Sequence, residues 1–473
     1  MKNLFQNFGE HTAAVSDDGK KLSYQELFNE TARIKEAVGH RTLVFSFCSN
    51  CFGALTGYVA FLSCRIVPLL LSEKMDDALF TRLMELYQPE YLWMPAEKTV
   101  PGMEVLEERY ACYGYKLLRT RYGRPKTPLY EDLALLLTTS GSTGSPKLVR
   151  QSYRNIESNT QSIVSYLQLD ASERPVTTLP MNYTYGLSII NTHLYAGATL
   201  LLTDKNLLHE EFWQFFREQG ATSFGGVPYT YEILDKLDME HMELPTLRTM
   251  TQAGGKLSLR LHRKFAEYAQ KRQIKFVVMY GQTEATARMA YLPPEMSLQK
   301  YGSMGIAVPG GRFELMDPDG HLVSETDVVG ELVYYGENVT LGYASRQEDL
   351  CLGDERGGRL VTGDMAWRDA DGYYYIAGRK KRFLKIFGNR VSLDECEQML
   401  RAAFAGADCA CIGNDERMHI FITQDLHPEQ VKKYLSERTK LHLSAFRVHV
   451  TDRIPKNDAG KTLYNELEQM INE

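Results

Sequence analysis

A segment rich in glycine and hydroxyl side chains follows an apolar run and ends in a lysine. Residues 135–147 read LLLTTSGSTGSPK. Glycines allow backbone N–H groups to face an anion, hydroxyls add donors and Lys147 adds charge, so the segment predicts a polyphosphate-binding loop. It is not the nucleotide P-loop, because the spacing from Gly141 to Lys147 differs from G-x-x-x-x-G-K-[ST] and Pro146 would break the helix required there. A flexible linker is the alternative, against which the lysine and proline directly after a buried strand argue.

A second group of charges lies between Gly378 and Arg390, where there are six basic residues and no acidic one. Such a stretch is typical of a nucleic-acid patch or a localisation signal. The apolar residues between the charges, among them Phe383 and Ile386, argue against that interpretation. The net charge of −6, from 54 basic and 60 acidic residues, also provides no overall field that would attract nucleic acid or an anionic membrane.

The elements that must position these residues alternate between apolar runs and amphipathic segments. Continuous apolar runs at 43–47, 134–140, 198–203, 223–227 and 275–281 predict strands that are buried on both faces. Helices are predicted from Tyr24 to Val38, where Ser23 and Glu26 have the spacing of a capping box, and from Ser258 to Arg272. The fold class is therefore α/β.

The pattern changes in the last third of the chain, which predicts more than one domain. From 311 to 378 the segments are short and alternating, with turn signals between them, and predict a β-rich subdomain. After it come a helix near 392–403, a strand near 419–423, a helix near 428–441 and a strand near 446–450. We expect a large N-terminal domain over 1–379 and a small α+β domain over 380–473.

Composition favours a soluble cytoplasmic protein. The 473 residues suffice for a large core without disulfides or metals. The N-terminal segment lacks the apolar core of a signal peptide, and the longest apolar run, 57–71, is too short to span a bilayer. Cys48 and Cys51 form a C-x-x-C without a second pair, so we expect no zinc site, and we expect all eight cysteines to be reduced.

The loop TSGSTGSPK resembles the phosphate-loop signature of the adenylate-forming enzymes, which include acyl-CoA synthetases, adenylation domains and luciferases. Further segments resemble motifs of this family in the same order, and acyl-CoA synthetases resemble the chain most. They are YGQTE at 280–284, GEL at 330–332 with GY at 342–343, TGD at 362–364, the hinge region at 378–397 and the terminal lysine motif at 455–461. Together they cover roughly residues 20 to 465.

The resemblance implies a two-step reaction. A carboxylate attacks the α-phosphate of ATP, which gives an acyl-adenylate and pyrophosphate, and a thiol of coenzyme A or of carrier-protein phosphopantetheine then displaces AMP. It also implies a fold in which a small C-terminal lid domain turns between the two steps. Because both partners of the first step are anionic, the site must neutralise charge.

The resemblance assigns roles to individual residues. Thr283 would contact the α-phosphate, Glu284 would bind Mg²⁺ and Lys461 would meet the carboxylate and the α-phosphate. Without the family context, Glu284 would be a helix N-terminal carboxylate and Lys461 a solvated surface lysine. The implied nucleotide-binding residues are Thr139, Ser140, Gly141, Ser142, Thr143, Gly144 and Lys147 for the phosphates, Tyr280, Gly254 and Gly255 around adenine, Asp364 and Arg379 for the ribose, and Gly281 and Gln282 of the YGQTE motif.

The same resemblance places the acid and thiol sites. The implied acyl pocket consists of Tyr183, Tyr185, Gly225, Gly226 and Val227, although the tyrosines could equally be core aromatics. Lys381 would be the hinge, and Gly388 and Arg390 would lie at the pantetheine tunnel.

The acid and the acceptor stay partly open. Residues 181–203 contain no acidic side chain that could pair with an α-ammonium, which disfavours an amino acid and favours a neutral-tailed carboxylic acid. Lys380, Arg382, Lys432 and Lys433 could serve either coenzyme A or a separate carrier protein. The alternatives are an amino-acid:carrier-protein ligase and a non-enzymatic nucleotide-binding relative, which would be expected to have lost Lys461, Glu284 or Asp364.

Overall fold

The computed structural model describes residues 4–100, 107–125, 127–138, 147–386, 389–404, 407–414, 416–423, 426–456 and 460–472. In chain order its strands are β1 (Thr12–Ser16), β2 (Lys21–Ser23), β3 (Leu43–Cys48), β4 (Val67–Ser72), β5 (Tyr91–Pro95), β6 (Glu107–Cys112), β7 (Tyr115–Arg119), β8 (Leu133–Thr138), β9 (Leu148–Ser152), β10 (Pro175–Val176), β11 (Leu200–Leu202), β12 (Ser223–Gly226), β13 (Thr249–Gln252), β14 (Lys275–Tyr280), β15 (Ala290–Tyr291), β16 (Ile306–Ala307), β17 (Arg312–Met316), β18 (Gly330–Tyr335), β19 (Gly342–Ala344), β20 (Arg359–Arg368), β21 (Tyr374–Arg379), β22 (Phe383–Ile386), β23 (Asn389–Ser392), β24 (Cys409–Asn414), β25 (Arg417–Thr423) and β26 (Phe446–Thr451). Its α-helices are α1 (Tyr24–Val38), α2 (Phe52–Ser63), α3 (Asp77–Tyr87), α4 (Tyr153–Leu167), α5 (Thr184–Tyr195), α6 (Glu210–Glu218), α7 (Pro228–Lys236), α8 (Leu259–Arg272), α9 (Leu393–Ala403), α10 (Pro428–Thr439) and α11 (Tyr464–Asn472).

Two large sheets form the main body of the molecule. One has the order β16-β15-β14-β13-β12-β10-β11-β1-β2, and the other has the order β19-β9-β8-β4-β3-β5-β7-β6. Helices α1, α2 and α5 lie between them, where Tyr58, Ile190 and Trp93 share one apolar core. Helices α6, α7 and α8 cover the other face of the first sheet, and α3 covers the other face of the second. These alternating layers confirm the α/β class.

The predicted helix caps and buried strands, which depend on residues close together in the chain, are confirmed. Ser23 and Glu26 form the predicted capping box of α1, and Ser258 caps α8. The buried strands β3, β4 and β8 pair in parallel, as do β12, β13 and β14, as their continuous apolar runs predict. The helix predicted to reach Leu441 ends at Thr439, because Lys440 turns into the left-handed region with φ 60°.

The last third of the chain forms smaller units. Strands β17, β18, β20 and β21 make a four-stranded antiparallel sheet that ends at Arg379. The elements after it have an apolar core of their own, in which Leu400, Ile420 and Leu435 are buried. Within the described ranges, no helix combines the length and apolarity needed to cross a bilayer.

Candidate active site

The residues of interest converge at one edge of the first large sheet. Strands β12, β13 and β14 are parallel, and their carboxyl ends meet with Gly226 opposite Gln252 and Gln252 opposite Val278. The segments that leave these ends begin with Val227, Gly254 and Gly281. In open α/β sheets, ligands bind in the crevice outside the carboxyl ends of the strands.

A polar cluster joins the end of β14 to the four-stranded sheet. The Tyr280 hydroxyl donates a 2.5 Å hydrogen bond to Oδ2 of Asp364, and Gln282 Nε2 donates to the same oxygen at 2.8 Å. Arg379 lies directly opposite Asp364 on β21, with its Nε 3.6 Å from Oδ1. Asp364 is 5% exposed, while the Arg379 side chain is largely exposed. The cluster therefore presents a buried acceptor and an exposed cation to the same space.

Burial decides the protonation behaviour of this cluster. It raises the pKa of Asp364 above its ordinary value, although the hydrogen bond from Tyr280 and the charge of Arg379 act in the opposite direction. Burial and the nearby Asp364 carboxylate raise the pKa of Tyr280 well above its ordinary value. Tyr280 therefore remains a hydrogen-bond donor over the whole physiological range.

Glu284 lies in the 3₁₀ turn Thr283–Ala285, and neighbouring groups position it. The Tyr343 hydroxyl donates a 2.7 Å hydrogen bond to its Oε1. The main-chain carbonyl of Glu284 accepts from the Thr340 hydroxyl at 3.0 Å and from Arg356 Nη1 at 3.1 Å. The half-buried carboxylate is a hard oxygen ligand, and its chemistry fits Mg²⁺.

Two glycines at the strand ends are required by close approaches. A Cβ at Gly281 would lie 1.6 Å from the carbonyl oxygen of Ala287. Gly254 has φ +84°, and a Cβ there would lie 2.5 Å from the hydroxyl oxygen of Tyr183. The backbone at Gly254 thus faces Tyr183 with no side chain between them.

The predicted acyl-pocket residues divide into two groups. Tyr183 and Tyr185 make an edge-to-face pair with ring centroids 6.3 Å apart, and the Tyr185 hydroxyl lies 2.7 Å from Thr251 Oγ1. A Cβ at Gly225 would approach Tyr185 Oη to 2.9 Å, so Gly225 makes room for this ring. A Cβ at Gly226 would instead meet Thr230 of α7 at 2.7 Å. Gly226 therefore serves the packing of α7.

Lys461 reaches the same crevice from the C-terminal part of the chain. Its Nζ lies 5.4 Å from the centroid of the Tyr183 ring. Burial, helped by the charge of Arg379, lowers its pKa below the ordinary value, while Glu284 acts in the opposite direction. Gly460 packs on Tyr229 and Val227, where a Cβ would lie 3.2 and 3.8 Å from them. The structure therefore brings Lys461, Glu284, Arg379 and Tyr183 together.

Three other predicted residues have different surroundings, and several more lie outside the described residues. Lys147 is exposed immediately before β9, and Gly255 packs on Pro228. Arg382 is committed to ion pairs with Asp394 and Glu397, the latter at 2.6 Å, so it is not a free docking charge. The residues that lie outside the described part are Thr139, Ser140, Gly141, Ser142, Thr143, Gly144 and Gly388, together with the side chains of Lys381 and Arg390.

Two residues at the site had no role assigned from the sequence. Tyr343 belongs to the GY motif at 342–343, but nothing in that motif indicates that its hydroxyl would meet Glu284. Arg288 follows Glu284 by four residues and is 2% exposed, beside Tyr185. A signal for Arg288 was present, because it is a charged residue only four positions after the YGQTE segment.

The model of the family described as AMP-binding enzyme matches residues 2–344. The 4-coumarate–CoA ligase-like 2 protein of Arabidopsis thaliana is 28% identical over 357 residues, 72% of this chain and 62% of that protein. The oxalate–CoA ligase of the same plant is 30% identical over 349 residues, 70% of this chain and 66% of the relative. The chain thus spans just under two thirds of the length of these relatives.

Among solved structures, the fold is similar to that of o-succinylbenzoate coenzyme A synthetase from Bacillus subtilis in complex with ATP and magnesium. The TM-score is 0.79, the sequence identity is 22%, and the match covers 97% of each chain.

Proposed function

The chain belongs to the AMP-binding enzyme family, and from this premise we propose that it joins a carboxylic acid to a thiol through an acyl-adenylate. The observation that carries the proposal is the convergence of Glu284, Asp364, Arg379 and Lys461 on one crevice at the ends of β12, β13 and β14. A degenerate nucleotide-binding relative would have no need to keep these four charges together.

ATP would bind with its adenine against Tyr280 and the side-chain-free backbone of Gly254 and Gly255. Asp364 would accept from the ribose hydroxyls, since its buried carboxylate is held by Tyr280 and Gln282. Arg379 would donate to the ribose, and Gly281 would allow the close turn beside it. Lys147 and the loop Thr139–Gly144 would bind the β- and γ-phosphates.

Glu284 is the residue that would hold Mg²⁺. Tyr343 occupies one oxygen with a hydrogen bond and so orients the carboxylate. When bound, the ion neutralises negative charge on phosphate oxygens. Thr283, in the same turn, would contact the α-phosphate.

The first chemical step is a displacement at the α-phosphorus. A carboxylate oxygen of the acid forms a bond to phosphorus, the bond from phosphorus to the bridging oxygen breaks, and pyrophosphate leaves with that electron pair. Both reactants are anionic, so the ammonium group of Lys461 contributes most where negative charge accumulates between them. The wall formed by Tyr183 and Tyr185 would hold the carboxylate of the acid in line with the α-phosphorus and the leaving pyrophosphate.

The second step is transfer to a thiol. The sulfur bonds to the acyl carbon, AMP leaves with the electron pair of its oxygen, and the thiol proton passes to solvent. We assign residues 1–379 to an N-terminal domain, with 311–378 as its β-rich subdomain, and 380–473 to a lid that turns at Lys381. Gly388 and Arg390 would then lie at the pantetheine tunnel.

Coenzyme A is the favoured acceptor, because the relatives are named as CoA ligases. A separate carrier protein is the second candidate. An amino acid is disfavoured as substrate, since residues 181–203 carry no acidic group to pair with its ammonium.

Acid-dependent ATP–pyrophosphate exchange without any thiol tests the first step. We expect exchange with at least one acid from pools of aliphatic, aromatic, dicarboxylic and amino acids, and its loss in the variant Glu284→Gln. Exchange confined to amino acids would favour the carrier-protein ligase. ATP binding without exchange in any pool would contradict the proposal.

A further inference from the structure

Arg288 is a buried cation whose partners are all neutral. Only 2% of it is exposed. Its Nε donates to Ser188 Oγ at 3.2 Å, and its Nη1 donates to the Tyr166 hydroxyl and to the Met279 sulfur, both at 3.3 Å. No carboxylate lies within ion-pair distance of it in the described part of the chain, and Nη2 makes no hydrogen bond there.

Two asparagine side chains fix the backbone from which this guanidinium extends. The main-chain carbonyl of Arg288 accepts from Asn159 at 2.8 Å and from Asn338 at 3.1 Å. A guanidinium is permanently charged, and taking such a charge out of water without a counter-ion is costly. A buried arginine with an unused donor and no carboxylate partner therefore indicates that an anion from outside the chain completes the site.

Arg288 also lies at the acyl pocket. Its Cζ is 5.1 Å from the centroid of the Tyr185 ring, which in turn lies 6.3 Å from the Tyr183 ring beneath Lys461. The two cations thus stand at opposite ends of a wall made by two tyrosines. Helix α4, through Tyr166, closes the end at which Arg288 lies.

Other buried polar atoms on the two helices that contact Arg288 lack partners. Ser162 Oγ on α4 and His193 Nε2 on α5 are buried and make no hydrogen bond to described residues. His193 Nδ1 contacts the carbonyl oxygen of Ile189 at 2.8 Å, so its other nitrogen is an acceptor in the neutral ring. An apolar chain end would leave the unused Arg288 donor unsatisfied, and an anionic group accepts from it, whereas His193 Nε2, itself an acceptor, requires a donor.

We propose that the acid substrate carries a second anionic group at its far end and that Arg288 binds it. Lys461 would then meet the carboxylate that reacts, and Arg288 would bind the group that does not. This inference rests on the proposed function and replaces the neutral tail expected from the sequence. Arg288 is a specificity-determining residue in this proposal.

The test compares each dicarboxylate with its own monoamide, which keeps the shape and loses one charge. The panel runs from succinate to suberate and includes terephthalate, and the measurement is kcat/KM in ATP–pyrophosphate exchange. For at least one pair, we expect the wild-type protein to favour the dicarboxylate by about 30-fold or more, the effect of a buried charge pair. In Arg288→Met the ratio should fall to about one, and Arg288→Lys should retain part of it, because the charge remains without the planar fork.

Arg150→Met is the matched control, because Arg150 is equally buried but is bonded to main-chain carbonyls and paired with Glu355. It should leave the dicarboxylate preference unchanged. ATP binding and thermal unfolding show whether each variant is folded, and if Arg288→Met is not folded, the wild-type ratio and Arg288→Lys decide.

Exchange only with acids that lack a second anionic group, or a ratio that survives Arg288→Met, would overturn the inference and leave the proposed function standing. Silence with every acid would overturn the proposed function and this inference with it.

Discussion

The ammonium group of Lys461 lies 5.4 Å from the centre of the Tyr183 ring. Lys461 lies shortly before helix α11, and Tyr183 directly precedes helix α5. The contact brings the segment of Lys461 onto the predicted wall of the acyl pocket, beside Glu284 and Arg379, both of which influence the pKa of Lys461. A cation at this point faces the place where a carboxylate and a phosphate would have to meet.

Lys461→Ala should reduce acid-dependent pyrophosphate exchange by about 10²–10³-fold, because a charge aimed at the reacting anions is removed. The reaction of a pre-formed acyl-adenylate with a thiol should be largely unaffected. Lys456→Ala is the control, because Lys456 lies five residues before Lys461. Its ammonium group pairs with Asp408 and lies over the Tyr229 ring. Exchange close to the wild-type rate in Lys461→Ala would remove this lysine from the mechanism.

The pH dependence of exchange should have an alkaline limb below pH 10.5. Burial lowers the pKa of Lys461 from its ordinary value of 10.5, so the ammonium loses its proton earlier than a surface lysine as the pH rises. Lys461→Arg should move this limb to higher pH, because a guanidinium stays charged. If the limb does not move in this variant, another group causes it. Thermal unfolding at each pH separates loss of activity from loss of structure.

Asp364→Asn should raise the KM for ATP about tenfold or more, because hydrogen bonds to a charged acceptor are stronger than those to a neutral amide. The kcat at saturating ATP should change much less. Asp369→Asn is the control, because Asp369 directly follows strand β20, which contains Asp364. Its carboxylate pairs with Lys300 at 2.9 Å. An unchanged KM for ATP in Asp364→Asn would contradict the ribose assignment.

Tyr343→Phe should raise the Mg²⁺ concentration needed for half-maximal exchange by about tenfold, because the outer partner of a metal ligand tunes its affinity. Excess Mg²⁺ should restore the rate, which a general loss of structure would not allow. Tyr335→Phe, on β18, removes a hydroxyl that contacts Arg359 at 3.4 Å and Glu314, not Glu284, and should leave the Mg²⁺ titration unchanged. A Tyr343→Phe protein with wild-type Mg²⁺ dependence would show that this contact does not orient Glu284 as a ligand.

Contacts close in the chain could be read from residue order. The capping box of α1 joins residues three apart. The buried strands β3 and β14 were predicted from unbroken apolar runs. The motif YGQTE, whose five residues are contiguous, predicted a nucleotide site through its resemblance to the adenylate-forming enzymes. Element ends were less well predicted: the run at 198–203 forms only the short strand Leu200–Leu202, since its flanks lie outside the sheet ladder.

The amino-acid sequence alone determined the fold class, the family resemblance and the identity of the charged groups. Tertiary structure alone decided which of them meet, because those contacts join residues far apart in the chain: Tyr280 to Asp364 across 84 positions, Tyr343 to Glu284 across 59 and Arg288 to Ser188 across 100. The order of residues in the chain does not show which distant residues will lie close together in the folded protein. The burial of Arg288 without a carboxylate partner is a property of the packed helices α4 and α5 around it, and it changed the acid that we expect the protein to activate.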